Sequence, residues 1–410
     1  VTDLREVAVA DVHKNGRLAG QLRRDGDDVV FSYLSEYRED GEALPVAVTL
    51  PLVPEPVRAT AGSVPPFFAG LLPEGARLQA ITAGARTSSD DQLTLLLLVG
   101  SDTIGDVQVV PEGSVPADPP PLLDPAAAQS TDFAALFARL TSPDAGGLDR
   151  VALPGVQVKA SAAVLSTPLG TTAAPAILKL DPPGWPELVA NEHFFLTMAA
   201  GCGLPVPEHR LVHDGAGRAG LLVTRFDRVA GSVGPARRLA QEDACQVLSR
   251  YPAAKYRISL QEAATALAGA VDSGGGSRPL AVRRVLEIAA FSYLIGNGDL
   301  HGKNLSVRQT PDGVWEVTPA YDLLCTQPYM GWSDPMALEM YGRANKLGRR
   351  WWLDAAGRLG IPPRVVERSL DRITAAAGDW IDRVGEIGFD DATTERLAQL
   401  LSRRRAELMG

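Results

Sequence analysis

Nine consecutive residues, Gly296-Asn297-Gly298-Asp299-Leu300-His301-Gly302-Lys303-Asn304, crowd an acid, two carboxamides, a histidine and a lysine into one short loop. What flanks the loop constrains the fold. Upstream, Leu280 to Ile295 is a strong apolar helical pattern that delivers the chain into Gly296. Glycines on both sides of Asn297 suit a tight, exposed loop. Downstream, Leu305–Arg308 and Trp315–Val317 read as short strands joined by a turn at Asp312-Gly313. Such a ribbon would carry the following Tyr321-Asp322-Leu323 back to the loop, so that the 18 residues between Asn304 and Asp322 close on one site. One Asp, an Asn five residues on and a later Asp is the arrangement a phosphotransferase needs. The first Asp orients a hydroxyl, while the Asn and the later Asp hold Mg2+ against nucleotide phosphates. Hard oxygen ligands suit that ion, with triphosphate and water completing its shell.

The segment before the loop has a matching order. Ala176–Leu180 is a short strand carrying Lys179, whose side chain can point into a cleft while its neighbours pack. A helix from Glu187 to Ala200 carries Glu192, with Pro186 as its first residue and Gly201 as its stop. Leu188, Phe195 and Met198 form its core stripe. Strand, lysine, helix, glutamate is the order of a nucleotide-binding lobe, in which the glutamate holds the lysine on the phosphates. Gly220–Arg228 reads as a buried strand ending in charge, residues 229–240 as a hinge, and Gln241-Glu242-Asp243 as the start of a helix through Leu248. Leu260–Val271 is helical, and Gly274-Gly275-Gly276 breaks it. Beyond the loop, Leu338–Leu347, Trp351-Trp352, Val365–Ala376 and Thr393–Met409 are expected to be mostly helical, their aromatics in the core.

The first hundred residues look different. Residues 5–12, Asn15-Gly16 and Leu18–Arg23 read as a hairpin, with further strands at Val29–Tyr33 and Val46–Leu52. In Phe67-Phe68-Ala69-Gly70-Leu71-Leu72-Pro73-Glu74-Gly75, Pro73 and Gly75 interrupt a helical face of Phe67, Leu71, Leu78 and Ile81, giving helix, break, helix that packs on the sheet. Ser89 with Gln92 matches a capping box ahead of the Leu93–Val99 helix. Six prolines between 111 and 125 mark a linker, and Thr131–Leu140 is a helix beyond it.

Composition bounds the alternatives. A chain of 410 residues exceeds a single ordinary core, so two or three domains are expected. Net charge −9, from 40 basic and 49 acidic residues, argues against a general nucleic-acid coat. Cys202, Cys245 and Cys325 lie far apart in no metal or redox spacing, which fits a reducing compartment. The start, Val1-Thr2-Asp3, lacks a basic-then-apolar signal, and Leu93–Val99 is too short to cross a bilayer. A cytoplasmic protein with no membrane partner is expected.

Five segments together resemble the serine/threonine kinases of the HipA toxin family: Phe68–Gly75, Gly155-Val156-Gln157-Val158-Lys159, Leu221–Arg228, Asn297–Asn304 and Pro319-Ala320-Tyr321-Asp322-Leu323. The resemblance implies an α+β fold, with a small N-terminal α/β domain over residues 1–115 followed by a two-lobed protein-kinase-like domain. Its N-lobe would span 116–245 and its helical C-lobe 246–410. It implies ATP and Mg2+ as cofactors. Asp299 would be the catalytic Asp that orients the substrate hydroxyl, with His301 and Lys303 beside it in the loop. Asn304 and Asp322 would be the metal ligands. Lys179 and Glu192 would sit on the nucleotide side, as would Gly155, Val156, Gln157 and Lys159 of a phosphate-binding loop and Gln241 and Glu242 near the hinge. Lys303 would meet the γ-phosphate, and His301 would fix loop geometry.

Two departures stand out. Family toxins often carry an autophosphorylated serine where this chain has Ala152, so that form of self-silencing should be absent. A usual His-Gln-Glu-Asp-Phe-Cys-Gln pattern appears as Ala240-Gln241-Glu242-Asp243-Ala244-Cys245-Gln246. The function implied is a toxin–antitoxin protein kinase whose substrate is an aminoacyl-tRNA synthetase and whose outcome is inhibited translation. Its partner would be a small helix-turn-helix antitoxin, without direct sequence-specific DNA reading by this chain. The alternatives are a small-molecule kinase of the aminoglycoside or alcohol type, and a nucleotide-binding subunit without turnover.

Overall fold

A computed structural model describes residues 3–117, 130–141, 165–169, 175–229 and 236–410. The N-terminal part is an antiparallel sheet of five strands in the spatial order Val57–Ala59, Asp28–Tyr33, Arg17–Asp25, Val9–Lys14, Val107–Pro111. Its first hairpin turns on Asn15 and Gly16, both at positive φ (50° and 76°), as the twist of a two-residue turn requires. Helices Pro66–Gly70, Gly75–Ala85 and Gln92–Val99 cover one face. They enclose a core that includes Phe31, Phe68, Leu22 and Leu96. Every residue from Leu93 to Val99 is buried, so the last of these helices is central rather than amphipathic.

A second antiparallel sheet has the order Leu165–Leu169, Ala176–Leu180, Ala219–Thr224, His209–His213. Alternation divides its faces. Leu178, Leu180 and Leu222 pack under Phe133 and Leu136 of the Phe133–Thr141 helix. Leu221 and Val223 face the opposite way, into the core that holds Phe195 of the Leu188–Gly201 helix. That core continues through the C-terminal helices Leu260–Ser273, Arg278–Ile295, Arg349–Arg358, Pro363–Ile381 and Asp391–Met409, around Phe291 and the fully buried Trp352. Ser259 and Glu262 close a reciprocal cap on the first of them. A small ribbon, Gln241–Asp243, Ser306–Gln309 and Trp315–Val317, joins the two regions. Among the described residues no helix is long and apolar enough to cross a membrane.

Several expected elements differ. Val46–Leu52 is a bend with one isolated bridge, Ala47 to Leu50; Pro45 and Pro51 bracket it, and the fourth strand is Val57–Ala59. Asp91, not Ser89, caps the Gln92–Val99 helix by accepting from Thr94 N. Gln92 accepts from Val64 N instead. Glu187, at φ 61°, is the cap of a helix that starts at Leu188 rather than at Pro186. Gln241–Asp243 is a strand, because Ser306–Gln309 offers it ladder partners, and the helix there is the short Ala244–Val247. Within 229–240, Arg237–Arg238 pairs back on Arg228–Val229. Leu338–Leu347 is irregular, held by a bridge between Met340 and Arg343.

The N-terminal sheet is fastened to the second one by buried charge. Arg225 Nη1 meets Asp102 Oδ2 at 3.0 Å and its Nη2 meets Asp227 Oδ2 at 2.8 Å. Arg228 spans the same two acids at 2.8 and 2.6 Å, and Gly105 N donates to Asp227 Oδ2 at 3.0 Å. Burial alone would raise the Asp227 carboxyl, but the two guanidiniums outweigh it and hold the group below the usual carboxylate range. Removing one partner from such a network leaves uncompensated buried charge. Asp227→Ala is therefore expected to lower the unfolding free energy of the whole chain by about 3–5 kcal/mol, read by urea denaturation.

Candidate active site

A cleft opens between the second sheet with its Leu188–Gly201 helix, the small ribbon with the loop before it, and the edge of the N-terminal domain. Its residues include Lys179, Glu192, Gln241, Asn304 and Asp322. Lys179 reaches it because Leu178 and Leu180 are committed to the opposite face of their strand. Its Nζ lies 2.6 Å from Glu192 Oε1 and also contacts Asp322 Oδ1. Burial would strip Lys179 of its proton, but the two carboxylates hold its pKa above the ordinary lysine range. Glu192 is also raised above its usual value: burial is the largest cause and the nearby Asp322 charge adds to it, and together they outweigh Lys179.

The loop is built by its own side chains. The Arg278–Ile295 helix ends in Gly296 at φ 76°, where a Cβ would press on Leu400 at 2.7 Å. Asn297 Oδ1 accepts from Asp299 N at 2.9 Å, and its Nδ2 donates to Asp322 O at 3.3 Å, tying loop to acid. Asn304 Nδ2 donates to Asp299 O at 3.0 Å. Asp322 itself sits at φ 51°, in the left-handed region. Asp299 is fully buried, and Tyr256 donates its hydroxyl to Asp299 Oδ1 at 2.7 Å.

Two further loop residues, Lys303 and His301, are buried. Lys303 lines the cleft, but its ammonium is engaged by Glu74 Oε1 at 3.1 Å and Gly70 O at 3.1 Å, both from the N-terminal domain. His301 lies edge-on to Tyr256, with ring centroids 5.1 Å apart. Burial first, then Lys255, lower its pKa to about 3, so the imidazole is neutral and its Nδ1 is buried without a hydrogen-bond partner. Glu242 is a correction: its strand turns it away from the cleft, and its Oε1 accepts from Val48 N at 2.8 Å on the N-terminal domain. Gln241, one residue before, does face the cleft. Gly155, Val156, Gln157, Lys159 and Ala152 lie outside the described residues.

Asn304 and Asp322 bring side-chain oxygens of the type a hard cation takes to the same cleft. Among the described residues no three or more His, Cys, Asp or Glu gather as a metal site. A divalent ion there would draw the rest of its shell from phosphate oxygens and water. Sequence reasoning missed Tyr256, Lys255 and the reach of Glu74. Tyr256 is 43 residues from Asp299 with no motif of its own. Glu74 lay in a segment that was given packing and a family resemblance but no role in the site.

The chain was compared with known proteins. The model for the HipA-like C-terminal domain matches residues 151–381, and that for the HipA N-terminal domain matches residues 10–110. Y4mE of Sinorhizobium fredii (strain NBRC 101917 / NGR234), provisionally named a kinase, is 30% identical over 397 residues, 93% of this chain and 92% of that one. The serine/threonine-protein kinase toxin HipA of Shewanella oneidensis is 27% identical over 389 residues, covering 88% and 86%. The solved complex of Shewanella oneidensis MR-1 HipA with HipB and operator DNA matches with a TM-score of 0.74 at 22% identity, covering 98% of this chain and 97% of that one. That likeness shows a shared fold, an N-terminal domain followed by a kinase-like one.

Glu74 supplies a pH test of the loop's anchoring. Burial would raise its pKa, but Lys303 and Lys255 outweigh burial and lower it from the ordinary 4.5 to about 2. The folded chain therefore binds fewer protons than the unfolded chain between these values. The stabilisation is complete above pH 4.5 and is lost as pH falls toward 2. The difference in unfolding free energy between wild type and Glu74→Gln is expected to be level above pH 5 and to shrink below 4.5, measured by urea titrations across that range.

Proposed function

The chain belongs to the HipA family, and from that premise we propose that it transfers the γ-phosphoryl group of ATP to a serine or threonine hydroxyl of a protein, with Mg2+, as the toxin of a toxin–antitoxin pair. Kinase names among its relatives support the kinase activity itself. The observation that carries the finer reading is the meeting of Lys179, Glu192, Asn304 and Asp322 in one cleft, with Asn304 hydrogen-bonded to the backbone of Asp299.

Each residue then has a chemical task. Lys179 binds the α- and β-phosphates, and Glu192 keeps it aimed there. Asn304 and Asp322 hold the ion, which when bound offsets charge on the triphosphate. Lys179 must release Asp322 for this, and the incoming phosphates supply the replacement partner. Asp299 Oδ1, which accepts the Tyr256 hydroxyl in the resting chain, accepts the substrate hydroxyl and takes its proton as the new O–P bond forms and the bond from the γ-phosphorus to the β,γ-bridging oxygen breaks, with ADP leaving. The target is an aminoacyl-tRNA synthetase and the outcome is inhibited translation in the cytoplasm, as the family resemblance implies. The antitoxin is a small helix-turn-helix protein. The Shewanella oneidensis complex, which contains HipB and operator DNA, supports that partner. The net charge of −9 agrees with DNA being read by the antitoxin rather than by this chain.

Phosphosite mapping on a panel of purified synthetases, with Mg-ATP and each of wild type, Asp299→Asn and Lys179→Met, tests the proposal. Asp299→Asn is expected to lower kcat by about 10²–10⁴-fold, the share of a general base. Label appearing only on small alcohols, or equal ATP consumption by wild type and Asp299→Asn, would abandon the protein-kinase reading.

A further inference from the structure

The N-terminal domain puts a carboxylate into the cleft. Glu74 sits on the turn between helices Pro66–Gly70 and Gly75–Ala85 and lines the same cavity as Lys179 and Asn304. Its Oε2 meets Lys255 Nζ at 2.5 Å and its Oε1 meets Lys303 Nζ at 3.1 Å. Both lysines are nearly inaccessible, at 2% and 6% exposure. Two buried ammonium groups so close would repel without an anion between them. Asp243 approaches only Lys303, and at 4.0 Å.

Both lysines lead to the reacting groups. Lys303 directly precedes Asn304 in the loop. Lys255 accepts Gly302 N on its backbone oxygen at 3.0 Å, and its chain neighbour Tyr256 donates to Asp299 Oδ1. Gly70 O on Lys303 and Gln246 Nε2 on Phe67 O, at 2.9 Å, hold the turn against the loop. The Lys179 ammonium is bonded to Glu192 and Asp322 rather than to these groups. We propose that Glu74 is a positioning residue of the phosphotransfer site, setting the catalytic loop through Lys255 and Lys303, so that the N-terminal domain is a working part of the kinase centre. The proposal rests on the kinase reading above.

The test is steady-state turnover of Mg-ATP by the full chain. Glu74→Gln keeps the shape and removes the charge. It is expected to lower kcat at least about tenfold while KM for ATP stays within about threefold, because the loss falls on the reacting step and not on nucleotide binding. Glu74→Asp keeps the charge one methylene shorter and is expected to recover part of that loss at unchanged KM. Arg58→Ala, which breaks only exposed pairs with Asp25 and Asp28 in the same domain, is the control and should match wild type. A folded Glu74→Gln with wild-type kcat overturns the proposal, as does a loss in KM alone. If Glu74→Gln does not fold, Glu74→Asp carries the test, and a wild-type kcat in that variant overturns it. If the wild type consumes no ATP, the kinase reading fails by itself. Amide hydrogen exchange over residues 299–304 then decides: faster exchange in Glu74→Gln, or in Glu74→Asp where the former does not fold, sustains the positioning role, and unchanged exchange overturns it.

Discussion

One ammonium group, that of Lys179, holds three separate parts of the chain in register. It comes from the second strand of a sheet, takes Glu192 from the following helix and takes Asp322 from beyond the catalytic loop. An isolated lysine that deeply enclosed would lose its charge, and burial pushes the Glu192 carboxyl up as well. Two carboxylates on one ammonium keep the cation charged. The strand, the helix and the segment after the loop are therefore tied together at one buried charge.

The same solution recurs at the seams. Arg225 and Arg228 with Asp102 and Asp227 fix the N-terminal sheet to the second sheet. Glu74 with Lys255 and Lys303 fixes the same domain to the loop. These seams are made of buried ions rather than of apolar contact alone. Buried ion pairs are directional and tolerate little displacement, which suits a joint that must hold a reacting geometry. They are also weak sources of net stability, so their placement beside the cleft points to geometry as their use.

The legible parts of the sequence were those with local causes. The Asn15-Gly16 hairpin, the interrupted helix around Pro73, the Arg278–Ile295 helix and the ribbon after the loop all follow from turn chemistry or periodicity within a few residues. The pairing of Lys179 with Glu192 was legible because strand-then-helix fixes where both side chains go. Elements decided by distant partners were misread. Gln241–Asp243 is a strand because Ser306–Gln309 pairs with it some 65 positions later. Glu242 was placed beside the nucleotide, yet Val48 claims it from nearly two hundred residues away.

By itself the sequence determined the family and offered the candidate chemistry: the acid, the carboxamide, the second acid and the strand lysine in that order. Only the tertiary structure decided what surrounds them. That Tyr256 rests on Asp299, that His301 stays neutral, and that the cleft lysine Lys303 leans on a carboxylate from another domain are consequences of folding distant segments together. Spacing along the chain carries no record of such contacts, because burial and charge act between neighbours in space.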